Sequence, residues 1–315
     1  MSVLIPVMIN DAHCHFFSPQ FFRALARQRA APQTDARDAT PAPSAADICR
    51  ELQWEDPVSA EALADRWIAE LDAHGVSRAA LIASIPGDED SVAAAVRRHP
   101  SRLVGFFMID PSAADATERV RRAITELGLR AVCLFPAMHH VPIGDERVTR
   151  IVEIAASQPG MAVFVHCGVL SVGVRAKLGL PSRFDLRLGN PLEVSRLALK
   201  YPSVPFIVPH FGAGMLREAL MAAETCRNIH LDTSSSNSWI RYTPGLTLDA
   251  VFKTALSVVG PSRLLFGTDS SFFPRGWQNA VYETQKQIVD AVGIGAEGAE
   301  LIFGGNFDRL FPAAR

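Results

Sequence analysis

The chain has few cysteines, and none of them lies in a CxxC pair. The five are Cys14, Cys49, Cys133, Cys167 and Cys226. An odd number without framework spacing argues against a disulfide scaffold and predicts a reducing compartment, for which we expect the cytoplasm. We interpret the cysteines as small buried apolar residues.

Long apolar runs and an excess of one charge are also missing. No run approaches the roughly 20 residues needed to cross a bilayer, which argues against a membrane protein. A formal net charge of -2 over 315 residues gives no electrostatic reason to expect nucleic acid or an anionic membrane as partner. The apolar stretch 1–17 has no basic region and no small-residue cleavage site, so we interpret it as a strand rather than a signal peptide.

Eight short apolar runs alternate with amphipathic segments along the chain. The runs are rich in Val, Ile, Leu and Phe, which is typical of parallel strands buried on both faces. The segments between them carry apolar residues at i, i+3, i+4 and i+7, which predicts helices that pack one face on a sheet. The runs are VLIPVMI (3–9), SRAALIAS (77–84), RLVGFFMIDP (102–111), LRAVCLF (129–135), MAVFVHCG (161–168), VPFIVPHFG (204–212), NIHLDTSSS (228–236) and RLLFGTDSS (263–271).

This alternation predicts an α/β protein made of right-handed βαβ units. Eight strands over this length favour a single (β/α)8 TIM barrel spanning residues 1–315. An open doubly wound sheet is the alternative, but no GxGxxG follows the first run. The segment 18–57, rich in Ala, Pro, Arg and Asp, departs from the rhythm. We predict an inserted, partly irregular loop region that lies over the barrel mouth or projects to a neighbour.

Polar residues appear where several of the apolar runs stop. The first predicted strand ends in Asp11, His13 and His15, the fifth in His166, the sixth in His210 and the eighth in Asp269. A barrel of this kind carries its active site at the C-terminal ends of its strands. Three imidazoles and a carboxylate on that face would suit Zn²⁺ or a similar ion, and His210 would be near enough to act as general acid or base.

Strand periodicity refines this prediction for the first run. His13 and His15 face the same side of a strand, so Cys14 between them points towards the helices. Taken alone, the two histidines could be ordinary polar residues near a terminus. Their joint placement with His166 and Asp269 favours a metal site, and Asp11 is then a supporting residue outside the ligand set.

The other histidines have plainer interpretations. We expect His230 to be a hydrogen-bonding residue at a strand end. His74 and His99 lie at predicted helix C-termini, where a cation suits the helix dipole. His139 and His140 follow the fourth strand on the mouth side, and for these two residues both a structural and a functional interpretation remain.

The motifs together resemble the amidohydrolase superfamily. The matching pieces are DAHCHFF, VFVHCG, FIVPHFGAG, LLFGTDSSFFP and the closing IFGGNFDRLF, and they span nearly the whole chain in the family's order. The resemblance is to the branch that contains the aminocarboxymuconate semialdehyde decarboxylases and related amidohydrolase 2 hydrolases.

The resemblance implies a ligand set and a cofactor. His13, His15, His166 and Asp269 would bind one divalent metal, zinc in the first instance, with manganese, cobalt or iron as alternatives. His210 would activate a metal-bound water, and Asp269 would share in proton transfer.

The resemblance also bears on how many metals bind. Binuclear members of the wider superfamily carry a carboxylated lysine on strand 4. Here Cys133 is found near that place and no lysine is nearby, which favours a single metal. A cysteine ligand to a second metal stays an alternative.

The loops predicted at the barrel mouth suggest the substrate. Arg175, Lys177, Arg183 and Arg187 follow strand 5, and Arg275 follows strand 8. Arginine beside an aromatic residue suits a small carboxylated substrate. We take Arg275, Trp239 and His139 as candidate substrate-binding residues, and expect a small molecule as the binding partner.

Three functions remain open at this stage. The first is a hydrolase in which metal-bound hydroxide attacks the carbonyl of a small amide, ester or lactone. The second is a non-oxidative decarboxylase that uses the same metal site on an unsaturated or aromatic acid. The third is a non-catalytic metal-binding scaffold. The resemblance suggests a homodimer.

Overall fold

The computed structural model describes residues 8–30, 43–235 and 237–313. It contains one sheet of eight parallel strands that pair in chain order. The strands are β1 Ile9–Phe16, β2 Val76–Ala83, β3 Leu103–Met108, β4 Ala131–Leu134, β5 Ala162–Val165, β6 Phe206–Val208, β7 Ile229–Asp232 and β8 Leu264–Leu265.

The first and last strands meet and bring the sheet round into a barrel. The Ala12 amide donates to the Phe266 carbonyl at 2.9 Å, and the His15 amide donates to the Ser270 carbonyl at 2.7 Å. An isolated parallel bridge joins Cys14 and Ser270. The predicted (β/α)8 barrel is therefore confirmed.

Helices alternate with the strands and cover the outside of the barrel. They are α1 Pro19–Ala30, α2 Ala45–Leu52, α3 Ala60–Ala73, α4 Glu89–Arg98, α5 Ala116–Thr125, α6 Pro136–His139, α7 Glu146–Ala156, α8 Gly173–Lys177, α9 Pro191–Lys200, α10 Leu216–Thr225, α11 Leu248–Val259, α12 Asn279–Val292, α13 Gly295–Glu300 and α14 Asn306–Leu310. None of the helices in the described part of the chain is both long enough and apolar enough to cross a membrane.

Helix α7 shows how the sequence produces these elements. Asp145 caps its first turn by accepting a hydrogen bond from the Arg147 amide, which satisfies an otherwise unpaired donor. Val148, Ile151 and Val152 are buried on one face of the helix, at the spacing of an amphipathic helix. Helix formation and packing on the sheet are thus specified by the same residues.

Alternate strand residues fill two separate cores. Phe106, Cys133 and Phe164 belong to the cluster inside the barrel, whereas Phe107 and Val163 belong to the larger cluster between strands and helices. Cys133 therefore points into the barrel interior, among apolar side chains. Burial raises the pKa of its thiol, which disfavours the thiolate that a second metal would require.

The polar residues predicted at the end of the first strand lie within it. β1 runs from Ile9 to Phe16 and includes His13 and His15, while most of the apolar run 3–9 lies outside the described residues. An extra residue in β1 opposite β2, between Asp11 and Cys14, is a β-bulge, which changes the facing of successive side chains. The apolar pattern does not extend over the whole strand, because its C-terminal half carries polar site residues.

The segment 18–57 contains two helices in its described part, α1 and α2, and residues 31–42 lie outside that part. Phe21, Leu25 and Ile48 pack with Val174 and Leu178 from the region of α8, after β5. Two segments distant in sequence therefore pack together beside the C-terminal ends of the strands. The segment was predicted to be partly irregular, and its described part contributes the helices α1 and α2. That the segment is an insertion stays a prediction.

Candidate metal centre

Three of the four predicted metal ligands converge at the C-terminal end of the barrel. Each of His13, His15 and Asp269 offers a ligand atom, and these atoms all lie within 4.8 Å of one another. Asp269 Oδ1 lies 3.7 Å from His13 Nε2 and 3.1 Å from His15 Nε2. Tetrahedral bonds of 2.0–2.1 Å to zinc would place ligand atoms roughly 3.3 Å apart, so the arrangement fits a divalent cation.

The second nitrogen of each imidazole is held by a neighbouring side chain. Asp232 Oδ2 lies 2.7 Å from His13 Nδ1, and Ser84 Oγ lies 2.8 Å from His15 Nδ1. Nδ1 is thus engaged in both rings, which leaves Nε2 as the nitrogen that faces Asp269. A metal ligand is normally oriented in this way.

The fourth predicted ligand, His166, lies on the same cavity but outside this three-residue cluster. Its ring packs against Phe135, with centroids 5.3 Å apart, and lies 5.3 Å from the ring of His210. Burial lowers the pKa of His166 well below its usual value, so the imidazole is neutral and its lone pair is available. His166 stays a predicted ligand.

His210 borders the cluster from the other side. Its ring centroid lies 5.0 Å from that of His13. Ser234 Oγ lies 2.9 Å from His210 Nδ1 and 3.0 Å from His13 Nδ1, so one hydroxyl contacts both rings. The ring nitrogen Nε2 of His210 is left for the cavity.

The backbone is strained at two of the site residues. His210 has φ 54° and Asp269 has φ 59°, and both values lie in the left-handed region that non-glycine residues seldom adopt. The Asp269 amide donates to the His13 carbonyl at 2.8 Å, which holds the turn after β8 against β1. Such strain persists where surrounding structure fixes it, and it is concentrated at functional sites.

A glycine allows the turn after β8 to approach His13. A Cβ placed on Gly267 would lie 2.9 Å from His13 Cβ and 3.1 Å from Ser234 Cβ. Any side chain here would therefore displace the imidazole or the serine.

The charges at the centre reinforce one another. Burial alone would lower the pKa of His13, but the carboxylates of Asp232 and Asp269 outweigh that effect and raise it to about 9. Burial alone would raise the pKa of Asp269, but His15 and His13 outweigh it and hold the value far below the usual range. Without a metal, a protonated His13 thus lies between two carboxylates, and a divalent cation would replace that proton.

This protonation gives the first prediction. Metal binding at pH 7 should release about one proton from His13, because its pKa of about 9 lies above the pH and the metal requires the neutral ring. Affinity should rise about tenfold per pH unit below pH 9 and level off above it. Calorimetry in buffers of different ionisation enthalpy counts the protons. Equal affinities at pH 6 and pH 8 would contradict the prediction.

Sequence reasoning missed Asp232 and Ser234. Both are fully buried, and Asp232 also accepts from the Ser234 amide at 2.5 Å. The signal available was an acid at the end of the apolar run NIHLD, at a strand end on the active-site face. Carboxylates that hold a metal-binding histidine raise its basicity and fix its orientation.

The second prediction concerns this carboxylate. Asp232→Asn should weaken zinc binding by about 10–100-fold, because the amide removes the charge that orients His13. The measurement is a zinc titration in competition with a chromophoric chelator. Asp249→Asn is the control, since Asp249 pairs with Lys253 on α11. Wild-type affinity in the Asp232 variant would show that the contact is merely structural.

Asp11 and Cys14 turn away from the metal cluster. The Asp11 carboxylate accepts hydrogen bonds from the Trp277 indole at 2.7 Å and from the Thr268 amide at 3.1 Å. Cys14 packs in the cluster between strands and helices, as strand geometry predicts. Asp11 also accepts from the His13 amide at 2.9 Å, so it braces the ligand strand from behind.

A cavity of about 460 Å³ opens onto the cluster. Aromatic side chains form much of its wall, contributed by the segment after β1, by the residue that follows β4 and by the loop after β8. They are Phe17, Phe21, Trp54, Phe135 and Phe272. The volume suits a small organic molecule.

Of the three predicted substrate-binding residues, the structure places Arg275 on this cavity. Its guanidinium donates to Ser271 Oγ at 2.7 Å. Trp239 is buried in the cluster between strands and helices and is not among the residues that line the cavity. His139 lines an adjoining cavity that shares Phe21 and Met138 with the first.

These features define a class of protein, a (β/α)8 barrel with a candidate metal centre at its mouth. A family model described as Amidohydrolase (Amidohydro_2) matches residues 10–313. Because the match covers nearly the whole chain, this protein belongs to the amidohydrolase family.

Solved structures share the fold at low sequence identity. The chain is similar to 5-carboxyvanillate decarboxylase LigW from Sphingomonas paucimobilis, with a TM-score of 0.65, 16% identity and coverage of 98% of this chain and 100% of that one. It is similar to an amidohydrolase from Burkholderia multivorans with bound zinc, with a TM-score of 0.61, 15% identity and coverage of 98% and 100%. A probable 2-pyrone-4,6-dicarboxylic acid hydrolase from Acinetobacter baumannii gives a TM-score of 0.56, 15% identity and coverage of 96% and 98%.

A curated relative matches over part of its length. Protein fluG of Emericella nidulans is 26% identical over 173 residues, which is 53% of this chain and 18% of that protein. The chain thus corresponds to less than a fifth of this relative.

Proposed function

We propose that this protein is a mononuclear metal-dependent hydrolase that acts on a small amide, ester or lactone bearing a carboxylate. The observation that carries the proposal is the convergence of two Nε2 atoms and one carboxylate oxygen at the floor of an aromatic cavity. Membership of the amidohydrolase family supports it.

His13, His15 and Asp269 would hold the metal, with His166 as the fourth ligand, and zinc is the metal we propose. When bound, a divalent metal supplies Lewis acidity and lowers the pKa of water towards neutrality. The protein's own side chains would supply the proton transfers and orient the substrate.

His210 is the proposed general base and acid. Burial lowers its pKa, so the ring is neutral near pH 7 and can accept a proton. The Ser234 hydroxyl, 2.9 Å from Nδ1, orients the ring and leaves Nε2 to exchange protons with water or with the leaving group. Asp269 shares in proton transfer once the substrate is bound.

The second candidate function is non-oxidative decarboxylation at the same site. Phe135, Met108 and Met138 line the cavity, and such an apolar wall disfavours the localised charge of a carboxylate and so favours its transfer to the conjugated carbon framework as carbon dioxide leaves. The likeness to a carboxyvanillate decarboxylase shows the shared fold and makes this reaction worth testing beside hydrolysis.

A product assay distinguishes the two reactions. The zinc-loaded protein is incubated with a panel of lactones, esters and amides that bear a carboxylate, and with hydroxybenzoates and muconate semialdehydes. Hydrolysis yields a new carboxylate, together with an alcohol from an ester or lactone or an amine from an amide, and no carbon dioxide, whereas decarboxylation releases carbon dioxide and consumes a proton. We expect a new carboxylate from the first set. Carbon dioxide release from the second set alone would establish the alternative.

A further inference from the structure

Two cationic side chains reach the metal cavity, in the part of the chain that the structure describes. They are Lys177, at the end of α8, and Arg275, in the loop after β8. The two loops follow β5 and β8, which are not neighbours in the sheet. A substrate in the cavity would therefore meet positive charge from two separate loops.

Both cations lie against a stacked aromatic pair. The rings of Trp54 and Phe272 stack with centroids 3.8 Å apart and an interplanar angle of 10°. Lys177 Nζ lies 5.6 Å from the Trp54 ring and 5.9 Å from the Phe272 ring, and the Arg275 guanidinium carbon lies 4.4 Å from the Phe272 ring. Cations at these distances are attracted to the ring faces, which fixes the charges at the cavity rim.

Other cations predicted near the mouth are already engaged elsewhere. Arg175 donates to Gln28 Oε1 at 2.5 Å and to the Pro181 carbonyl at 2.6 Å. Arg187 pairs with Asp185 at 2.7 Å and is 88% exposed. Neither lines the metal cavity.

Lys177 differs from these in its surroundings. Within residues 8–30, 43–235 and 237–313, no carboxylate forms a salt bridge with Lys177, whereas Lys200, Lys253 and Lys286 each have one. Asp269 is the acidic residue that lines the metal cavity. Its single negative charge is smaller than the two positive charges of a bound divalent metal, so the loaded cavity would be positive. The metal-loaded cavity would therefore favour an anion with more than one negative group.

We propose that Lys177 binds a carboxylate at the far end of a planar substrate whose reacting group lies at the metal cluster and whose flat framework lies along the aromatic wall. This inference rests on the proposed function and specifies its substrate class as planar, conjugated or aromatic acids that carry a carboxylate remote from the reacting group. Arg275, which lies against the same Phe272 ring as Lys177, binds the same anion from the loop after β8.

The test compares flat ligands with one and two carboxylates on the zinc-loaded protein. Benzoate, isophthalate and terephthalate are titrated by calorimetry and by tryptophan fluorescence, in which Trp54 is the half-buried indole on the cavity. Because a first carboxylate can bind the metal in every variant, the informative quantity is the gain in affinity from the second carboxylate. Isophthalate and terephthalate direct that group at different angles.

We expect at least one dicarboxylate to bind about tenfold more tightly than benzoate, which is about 1.4 kcal/mol. Lys177→Gln should reduce the gain to less than threefold, and Lys177→Arg should restore most of it. Lys200→Gln is the matched control, because Lys200 pairs with Glu153 on the outer helices, and it should keep the full gain.

Two results would overturn the inference. One is the absence of any gain from a second carboxylate in the wild type, and the other is a gain that persists in Lys177→Gln. Zinc stoichiometry is measured in the same samples. Failure with one zinc bound rejects Lys177 as the anion site and leaves the metal centre standing, whereas failure to bind zinc rejects the proposed function itself.

Discussion

His210→Ala is expected to lower kcat by about 10²–10⁴-fold while the protein keeps its metal. The ring lies beside the metal cluster, with its centroid 5.0 Å from that of His13, and Ser234 holds its Nδ1. Removing it deletes the proposed proton-transfer group but none of the predicted metal ligands. The measurement is steady-state turnover on the substrate found in the product assay, together with metal content.

The control for this variant is His99→Ala. His99 follows α4 and pairs with Asp65 on the outer helix α3, so both turnover and zinc content should stay at wild-type values. Loss of zinc in His210→Ala would show that His210 is a ligand and not the base. Unchanged kcat with full zinc would leave proton transfer to Asp269.

Asp269→Asn is expected to reduce zinc affinity by more than the ~10–100-fold that loss of an outer-shell partner costs. Asp269 supplies the carboxylate of the cluster, with its Oδ1 3.1 Å from His15 Nε2. The amide keeps the size of the side chain but removes the negative charge that attracts the cation. Chelator competition and metal analysis after dialysis provide the measurement.

A second variant tests the same centre from β1. His13→Ala should also lose zinc, whereas His140→Ala, a histidine outside the cluster, should retain it. If Asp269→Asn and His13→Ala both hold as much zinc as the wild type, the proposed centre is wrong. Thermal unfolding of each variant separates loss of ligand from loss of fold.

Sequence reasoning located the strands well because each one is a short apolar run followed by a turn. β3 to β8 lie inside the predicted runs, and β2 begins one residue before its run, at Val76. β1 extends to Phe16, beyond the apolar run 3–9, and its polar second half leaves the end of the strand unmarked in the hydrophobic pattern. A β-bulge between Asp11 and Cys14 leaves no mark in the hydrophobic pattern.

The residues of the candidate site that lie at strand ends could be predicted from the sequence. His13, His15 and Asp269 form the cluster that their positions predicted. Asp232 and Ser234 were missed because their role depends on a contact with His13, more than 200 residues away in sequence. Trp239 was selected because it follows the seventh strand, on the predicted mouth side, yet its ring packs between strands and helices.

The sequence by itself determined the barrel and the strand ends at which the candidate site lies. The reason is that the apolar periodicity that specifies strands and helices is a local property of each segment. Only the tertiary structure decided which side chains meet. The orientation of His13 by Asp232, the stacking of Trp54 on Phe272 and the entry of Lys177 into the cavity all depend on closure of the barrel and on packing of the segment after β1. Those contacts join residues from different loops, and their distances are set by the whole fold.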